Sequence, residues 1–272
     1  MKRFERRVVL VTGAGSGIGR ATAQAFAARG ALVIAAGLGE SGLAETQASI
    51  VRAGGRCETH PADVSDESAM HALAKAVHQR HDAVDVLVNN AGIGAAGRFL
   101  GTTPATWDRV WAVNVRGVML GCKLFLPAMI ARRQGHVVNI ASMAGYFASP
   151  EMPVYAASKS AVIGFSESLR ADLADKGVGV SAICPGIVNT NIIATTTAEG
   201  SAAPWQAGAV DFYRRRNYPP SRVAQAIVQA VEDNAALVPV TPEAWIGYHL
   251  KRLVPGAARA LAARPLPFMK TP

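Results

Sequence analysis

Tyr155 and Lys159 stand four residues apart in "VYAASKSAVIGF", a segment that is otherwise small and apolar. On a helix these two positions share a face, so the phenol and the ammonium would point into the same space. Alone, the pair describes an amphipathic helix whose long side chains reach water. With the hydroxyl of Ser142, in "NIASMAG", converging on the same pocket, it gathers groups that can donate, accept and stabilise charge. A phenol is a poor base near neutrality because its ordinary pKa is about 10, and bringing it to about 7 takes roughly 4 kcal/mol of preferential phenolate stabilisation. A neighbouring ammonium supplies part of that. A hydroxyl fixed where charge develops on an oxygen supplies more than one that must reorganise.

Such groups need elements that hold them. Short β-branched runs alternate with longer Ala-rich stretches up to about residue 240. The strands are predicted at Val8–Thr12, Leu32–Ala36, Arg56–His60, Val84–Asn89, His136–Ile140, Val178–Cys184 and Leu237–Val240. Helices are predicted at Gly17–Arg29, Leu43–Ala53, Asp66–His81, Pro104–Arg133, Val154–Lys176 and Ser221–Asn234. The alternation implies an α/β fold: a doubly wound, Rossmann-type parallel sheet of about seven strands, with helices on both faces. In such sheets ligands bind beyond the carboxyl ends of the strands.

The residues in those places are consistent with a dinucleotide. After the first strand, "TGAGSGIG" carries Gly13, Ser16, Gly17, Ile18 and Gly19 in a G-x-x-x-G-x-G spacing. Its glycines permit a tight turn and bring the next helix N-terminus to a pyrophosphate. After the third strand, Asp63 is placed to accept from an adenine amino group, with Val64 against the ring, while a helix N-cap near Ser65 or Asp66 explains the neighbours equally well. "NNAG" gives Asn90, Ala91 and Gly92 a turn close to a nicotinamide ribose. Asn114, polar within an apolar helix, is either satisfied structurally or kinks the helix and holds a water. In "CPGIVNTNI", Pro185 and Gly186 stop the sixth strand and free Val188 backbone groups and Thr190 to meet a ligand.

Over residues 7 to 240 this set of motifs resembles the short-chain dehydrogenase/reductase family in its shorter, single-domain form. The resemblance implies a hydride passed between a nicotinamide cofactor and a secondary alcohol or ketone. It assigns general acid–base work to Tyr155, ribose binding and pKa lowering to Lys159, substrate-oxygen binding to Ser142, and a proton-relay water to Asn114. It needs no metal. NAD users of the family carry an acid at the end of the second strand, where Gly37 stands here, followed by Leu38. The cofactor is thus NAD or NADP, leaning slightly to NADP because nothing repels a 2′-phosphate. The resemblance also implies a homotetramer or homodimer through the helices Pro104–Arg133 and Val154–Lys176.

A pocket wall of Gly94, Met143, Tyr146, Met152 and Ile192 is mostly apolar, which favours a hydrophobic substrate: steroid-like, aryl or fatty. Residues 191–220, with Ile193, Trp205 and Phe212, show no clear period and are expected to form a lid within the domain 1–240. Residues 241–272 form a basic amphipathic tail, with Thr241 and Pro242 starting a helix and Trp245, Ile246, Leu250 and Leu253 beside Lys251, Arg252, Arg259 and Arg264. It is expected to pack on its own domain or a neighbouring subunit, with weak contact to a membrane surface as the alternative.

The 272 residues carry a net charge of +9, but the basic groups are scattered and no nucleic-acid-binding signature accompanies them. Three scattered cysteines suit neither disulfides nor a metal. No apolar run free of charge is long enough to span a bilayer, and the opening lacks an h-region, so a cytoplasmic location is expected. The competing readings are a cofactor-sensing protein without catalysis and a membrane-peripheral, lipid-modifying reductase.

Overall fold

The apolar runs pair as one parallel sheet in a computed structural model that describes residues 4–263. In chain order the strands are β1 (Val8–Thr12), β2 (Leu32–Gly37), β3 (Arg56–Pro61), β4 (Val86–Asn89), β5 (Ala95–Ala96), β6 (Gly135–Ile140), β7 (Val178–Cys184), β8 (Thr197–Ala198) and β9 (Leu237–Pro239). Seven of them lie in the order β3-β2-β1-β4-β6-β7-β9, while β5 and β8 pair only with each other. The order reverses between β1 and β4, so the loops after these two strands flank the switch point.

The helices are α1 (Gly17–Ala27), α2 (Glu40–Arg52), α3 (Glu67–His78), α4 (Pro104–Trp111), α5 (Gly117–Ala131), α6 (Pro153–Asp172), α7 (Gln206–Arg216), α8 (Pro220–Asp233), α9 (Pro242–Leu253) and α10 (Pro255–Ala262). Alternate strand residues feed opposite faces. Val9, Val11, Val33 and Ala35 meet Phe26, Leu43 and Ile227 of α1, α2 and α8. Leu10, Ile34, Leu87 and Val137 meet Met70, Phe125 and Val162 of α3, α5 and α6. All these side chains are close to fully buried, so both faces of the sheet are covered.

Three expectations change. The fourth strand begins at Val86 rather than Val84, because the Asp85 carboxylate accepts from the Val8 N–H at 2.8 Å and from Arg7 at 2.9 Å. The stretch 191–220 is not an aperiodic loop: it holds β8, a 3₁₀ segment (Gly200–Trp205) and the three-turn helix α7, which Asn217 ends in the left-handed conformation. The segment Pro104–Ala131 is long and apolar enough to cross a membrane by length and composition, which the sequence reading did not anticipate. Its inner face packs into the core through Val118, Cys122, Phe125 and Met129, so it is a helix of the sheet's cover.

The tail begins as its residues dictate, with the Thr241 hydroxyl capping Ala244 N–H and Pro242 in the first turn of α9. Ala244 and Gly247 are buried, while Trp245, Ile246 and Leu253 are exposed. Arg264 and the rest of the tail lie outside the described residues.

Candidate active site

The switch point is built from backbone. Gly13 and Gly17 take φ of 63° and 52°, a region costly for other residues, and the turn delivers the chain to α1. Ser16 is the N-cap but its side chain caps nothing, and the first turn holds no acid, so the N–H groups around Gly17, Ile18 and Gly19 are free for an anion. Thr190 lies against Gly17, where an added Cβ would come within 3.3 Å of it. Nearby, Val188 is buried, and the Pro185 carbonyl accepts from Met143 N–H at 2.8 Å, so the loop through Gly186 borders the same space.

Asn90 is expected to contact a cofactor, but its amide is committed elsewhere. It donates to the carbonyls of Thr12 at 2.9 Å and Gly13 at 3.2 Å, while the Thr12 hydroxyl accepts from the N–H groups of Asn90 and Ala91. The residue therefore straps the glycine loop to the loop after β4. Gly92 faces the reactive groups: a Cβ there would lie 3.2 Å from Asn114 Oδ1 and 3.4 Å from Lys159 Nζ. Its bare α-carbon leaves the space beside Lys159 that a ribose would need, so the cradle fits a dinucleotide.

At the adenine end Gly37 is buried and Leu38 is 69% exposed, with Glu40 exposed in the first turn of α2. The Asp63 carboxylate accepts from the N–H and hydroxyl of Ser65, at 2.8 and 2.7 Å, and Asp66 is the N-cap of α3. Val64 does not lie open to a ring; its side chain is buried against Gly117 because the glycine lets α5 approach.

Ser142 follows β6, and Tyr155 and Lys159 follow on α6. The Ser142 hydroxyl accepts from Ala144 N–H at 3.1 Å and donates to the Pro185 carbonyl at 3.5 Å, near enough to Tyr155 to favour its ionised form. Lys159 Nζ donates to the Ile140 carbonyl at 2.8 Å and sits 5.8 Å from the centre of the Tyr155 ring. Asn114 lies in a π-helical turn, Ala112–Arg116, that joins α4 to α5. Its amide is satisfied: Oδ1 accepts from Ile93 N–H at 2.9 Å, and Nδ2 donates to Ile93 O at 3.0 Å and Ser158 Oγ at 3.1 Å.

The electrostatics differ from the expectation that Lys159 lowers Tyr155. In the protein alone burial raises Tyr155, and the opposing influence is the hydrogen bond with Ser142. Burial also pushes Lys159 down, to about 8. Desolvation disfavours both charges, so further positive charge is needed to make the phenolate.

The segment 191–220, expected to form a lid, walls a narrow, mainly apolar cavity of about 50 Å³ lined by Met152, Ile193, Ala198, Ala202, Trp205, Ala209 and Tyr213, among others. Gly94 carries the lid: its carbonyl accepts from Thr197 N–H at 3.2 Å, next to the pairing of β5 with β8. Ile192 is not in the lining and accepts from the Thr196 hydroxyl through its carbonyl. Phe212 is not in the lining either. Tyr146 is turned from substrate to tail, its hydroxyl donating to the Ala244 carbonyl at 2.7 Å and its ring edge-on to Tyr248.

Tyr213 and Glu243 escape the sequence reading. Glu243, in the first turn of α9, accepts from Ile187 N–H at 2.8 Å and pairs with Arg216 at the end of the lid helix. A larger cleft, about 280 Å³, lies among Arg7, Asp85, Gln134 and His136 at the amino end of the sheet, away from these groups.

The geometry sets a glycine-rich cradle that fits a dinucleotide beside Ser142, Tyr155 and Lys159 at the carboxyl edge of the sheet. Comparison with known proteins narrows this. Residues 7–200 match the short chain dehydrogenase family, and the chain belongs to that family. "Probable oxidoreductase EphD" of Mycobacterium tuberculosis is 44% identical over 269 residues, 95% of this chain and 45% of that protein. The chain thus spans a little under half the length of such relatives. A short chain dehydrogenase/reductase of Burkholderia phymatum, solved in complex with NAD, is 31% identical with a TM-score of 0.87 over 98% of both chains. A metagenomic short-chain oxidoreductase in complex with NADP is also 31% identical, with a TM-score of 0.72 over 87% of this chain and 96% of that one.

Proposed function

We propose that this chain catalyses hydride transfer between NAD or NADP and a hydrophobic secondary alcohol or ketone. The observation that carries the reading is the convergence of Ser142, Tyr155 and Lys159 beside the bare α-carbon of Gly92 and below an apolar cavity. The bound nicotinamide supplies the hydride or accepts it, and its oxidised form carries positive charge. The glycine loop and α1 hold the pyrophosphate, and Lys159 reaches the ribose across Gly92. Ser142 donates to the substrate oxygen, and Tyr155 takes the proton from that oxygen or returns it. Asn114 fixes the loop at Ile93 and so keeps Gly92 open, with its remaining Oδ1 lone pair available to a water.

The tight cavity accommodates a small substituent, so a bulky substrate body extends past α7 or displaces it. The absence of an acid at Gly37 supports the lean to NADP. Trp111 and Met119, partly exposed on α4 and α5, support a subunit contact there. A panel of secondary alcohols and ketones, assayed with each cofactor, tests the reading together with Tyr155→Phe. The substitution is expected to keep dinucleotide binding and to lower turnover by at least about a hundredfold. Unchanged turnover would refute the assignment.

A further inference from the structure

Among the polar groups that line the cavity is the hydroxyl of Tyr213. Ala202, Gln206, Ala209 and Tyr213 recur at spacings of four, three and four along the end of the 3₁₀ segment and α7, and all four line the cavity. The Thr196 hydroxyl is used on Ile192 O at 2.7 Å, and the Gln206 amide N–H groups are used on the carbonyls of Thr196, Ile193 and Ala194. Tyr213 is partly buried and lines the cavity, and its hydroxyl makes no hydrogen bond among the described residues. Burial raises its pKa, and nearby Tyr155 and Glu243 raise it further, so it stays protonated and can donate. A hydroxyl that lines an apolar cavity without a protein partner is available to an acceptor oxygen of a ligand.

Resting on the hydride-transfer reading above, we propose that Tyr213 hydrogen-bonds a second oxygen of the substrate. The enzyme then selects alcohols or ketones that carry an acceptor oxygen within a few bonds of the reacting carbon. The apolar lining takes the hydrocarbon part, and the phenol rewards the additional oxygen. This makes Tyr213 a specificity residue and leaves the proton transfer to Tyr155.

The test compares a medium-chain methyl ketone with the β-keto methyl ester of the same chain length. For each protein the ratio of the two kcat/KM values is taken, which cancels their intrinsic reactivities between proteins. Tyr213→Phe is expected to lower the ester-to-ketone ratio about tenfold, with kcat/KM for the plain ketone changed less than about twofold. Tyr213→His, which returns a donor, is expected to recover part of the ratio. An unchanged ratio overturns the proposal, and so does an equal loss on both substrates, which would make Tyr213 structural. Absence of turnover of either probe by the unaltered enzyme with both cofactors would count against the hydride-transfer reading itself, a distinct result.

Discussion

Burial raises Tyr155 and lowers Lys159 to about 8, so the protein alone favours a neutral phenol beside an ammonium that is easily discharged. In the proposed reaction the oxidised nicotinamide would add positive charge that favours the phenolate. Linkage follows: if oxidised dinucleotide stabilises the anion, its binding releases protons. Calorimetric titration at pH 8 in buffers of different ionisation enthalpy should show release of a substantial fraction of a proton in the unaltered enzyme and much less in Tyr155→Phe. Equal release in both would move the effect away from Tyr155. The pair was legible in the sequence because i and i+4 share a helix face whatever the tertiary structure. The protein partners of Asn90, Val64 and Tyr146 were not legible, because Thr12, Gly117 and Ala244 are brought to them only by folding.

Among the elements, α9 does more for the site than its place in the tail suggests. Its first turn reaches three functional loops: Ala244 holds Tyr146, Glu243 Oε1 holds Ile187 after Gly186, and Glu243 Oε2 holds Arg216 of the lid helix. The ion pair is partly exposed, so it contributes at most about 1 kcal/mol to stability. The pair also ties α9 to the end of α7. Glu243→Gln should keep the Ile187 contact, leave the melting temperature nearly unchanged, and speed amide exchange in α7 while raising KM severalfold. An exchange pattern in α7 identical to that of the unaltered protein would show that Arg216 is not a latch. The start of α9 is written locally in Thr241 and Pro242. The helix α7 is harder to see: Gly208 and the Arg214–Arg216 run obscure it, although Ala202, Gln206, Ala209 and Tyr213 follow a helical spacing that could have revealed it.

At the scale of the whole molecule, the sheet that carries the site also carries a pH liability. His136 on β6 lies opposite Gly179 on β7 and is bonded to Ser181 Oγ at 2.8 Å. Ser181 in turn donates to the Ala235 carbonyl ahead of β9, so the chain of hydrogen bonds crosses from β6 toward β9. Burial, reinforced by the Arg170 cation, pushes His136 from 6.5 down to about 4. Above pH 6.5 the imidazole is neutral folded and unfolded, and it contributes no pH dependence. Between pH 6.5 and about 4 the unfolded chain takes up the proton and the folded one does not, so stability falls as the solution is acidified. The full fall is ~3 kcal/mol, and it levels off below the folded pKa. Denaturant unfolding at a series of pH values should show that slope, and His136→Gln, which can still donate to Ser181, should flatten it. Parallel slopes for the two proteins would place the acid sensitivity elsewhere. The strands themselves could be read from their β-branched runs. This bond could not, because nothing near His136 in sequence says that the sheet brings Ser181 beside it and Gly179 opposite.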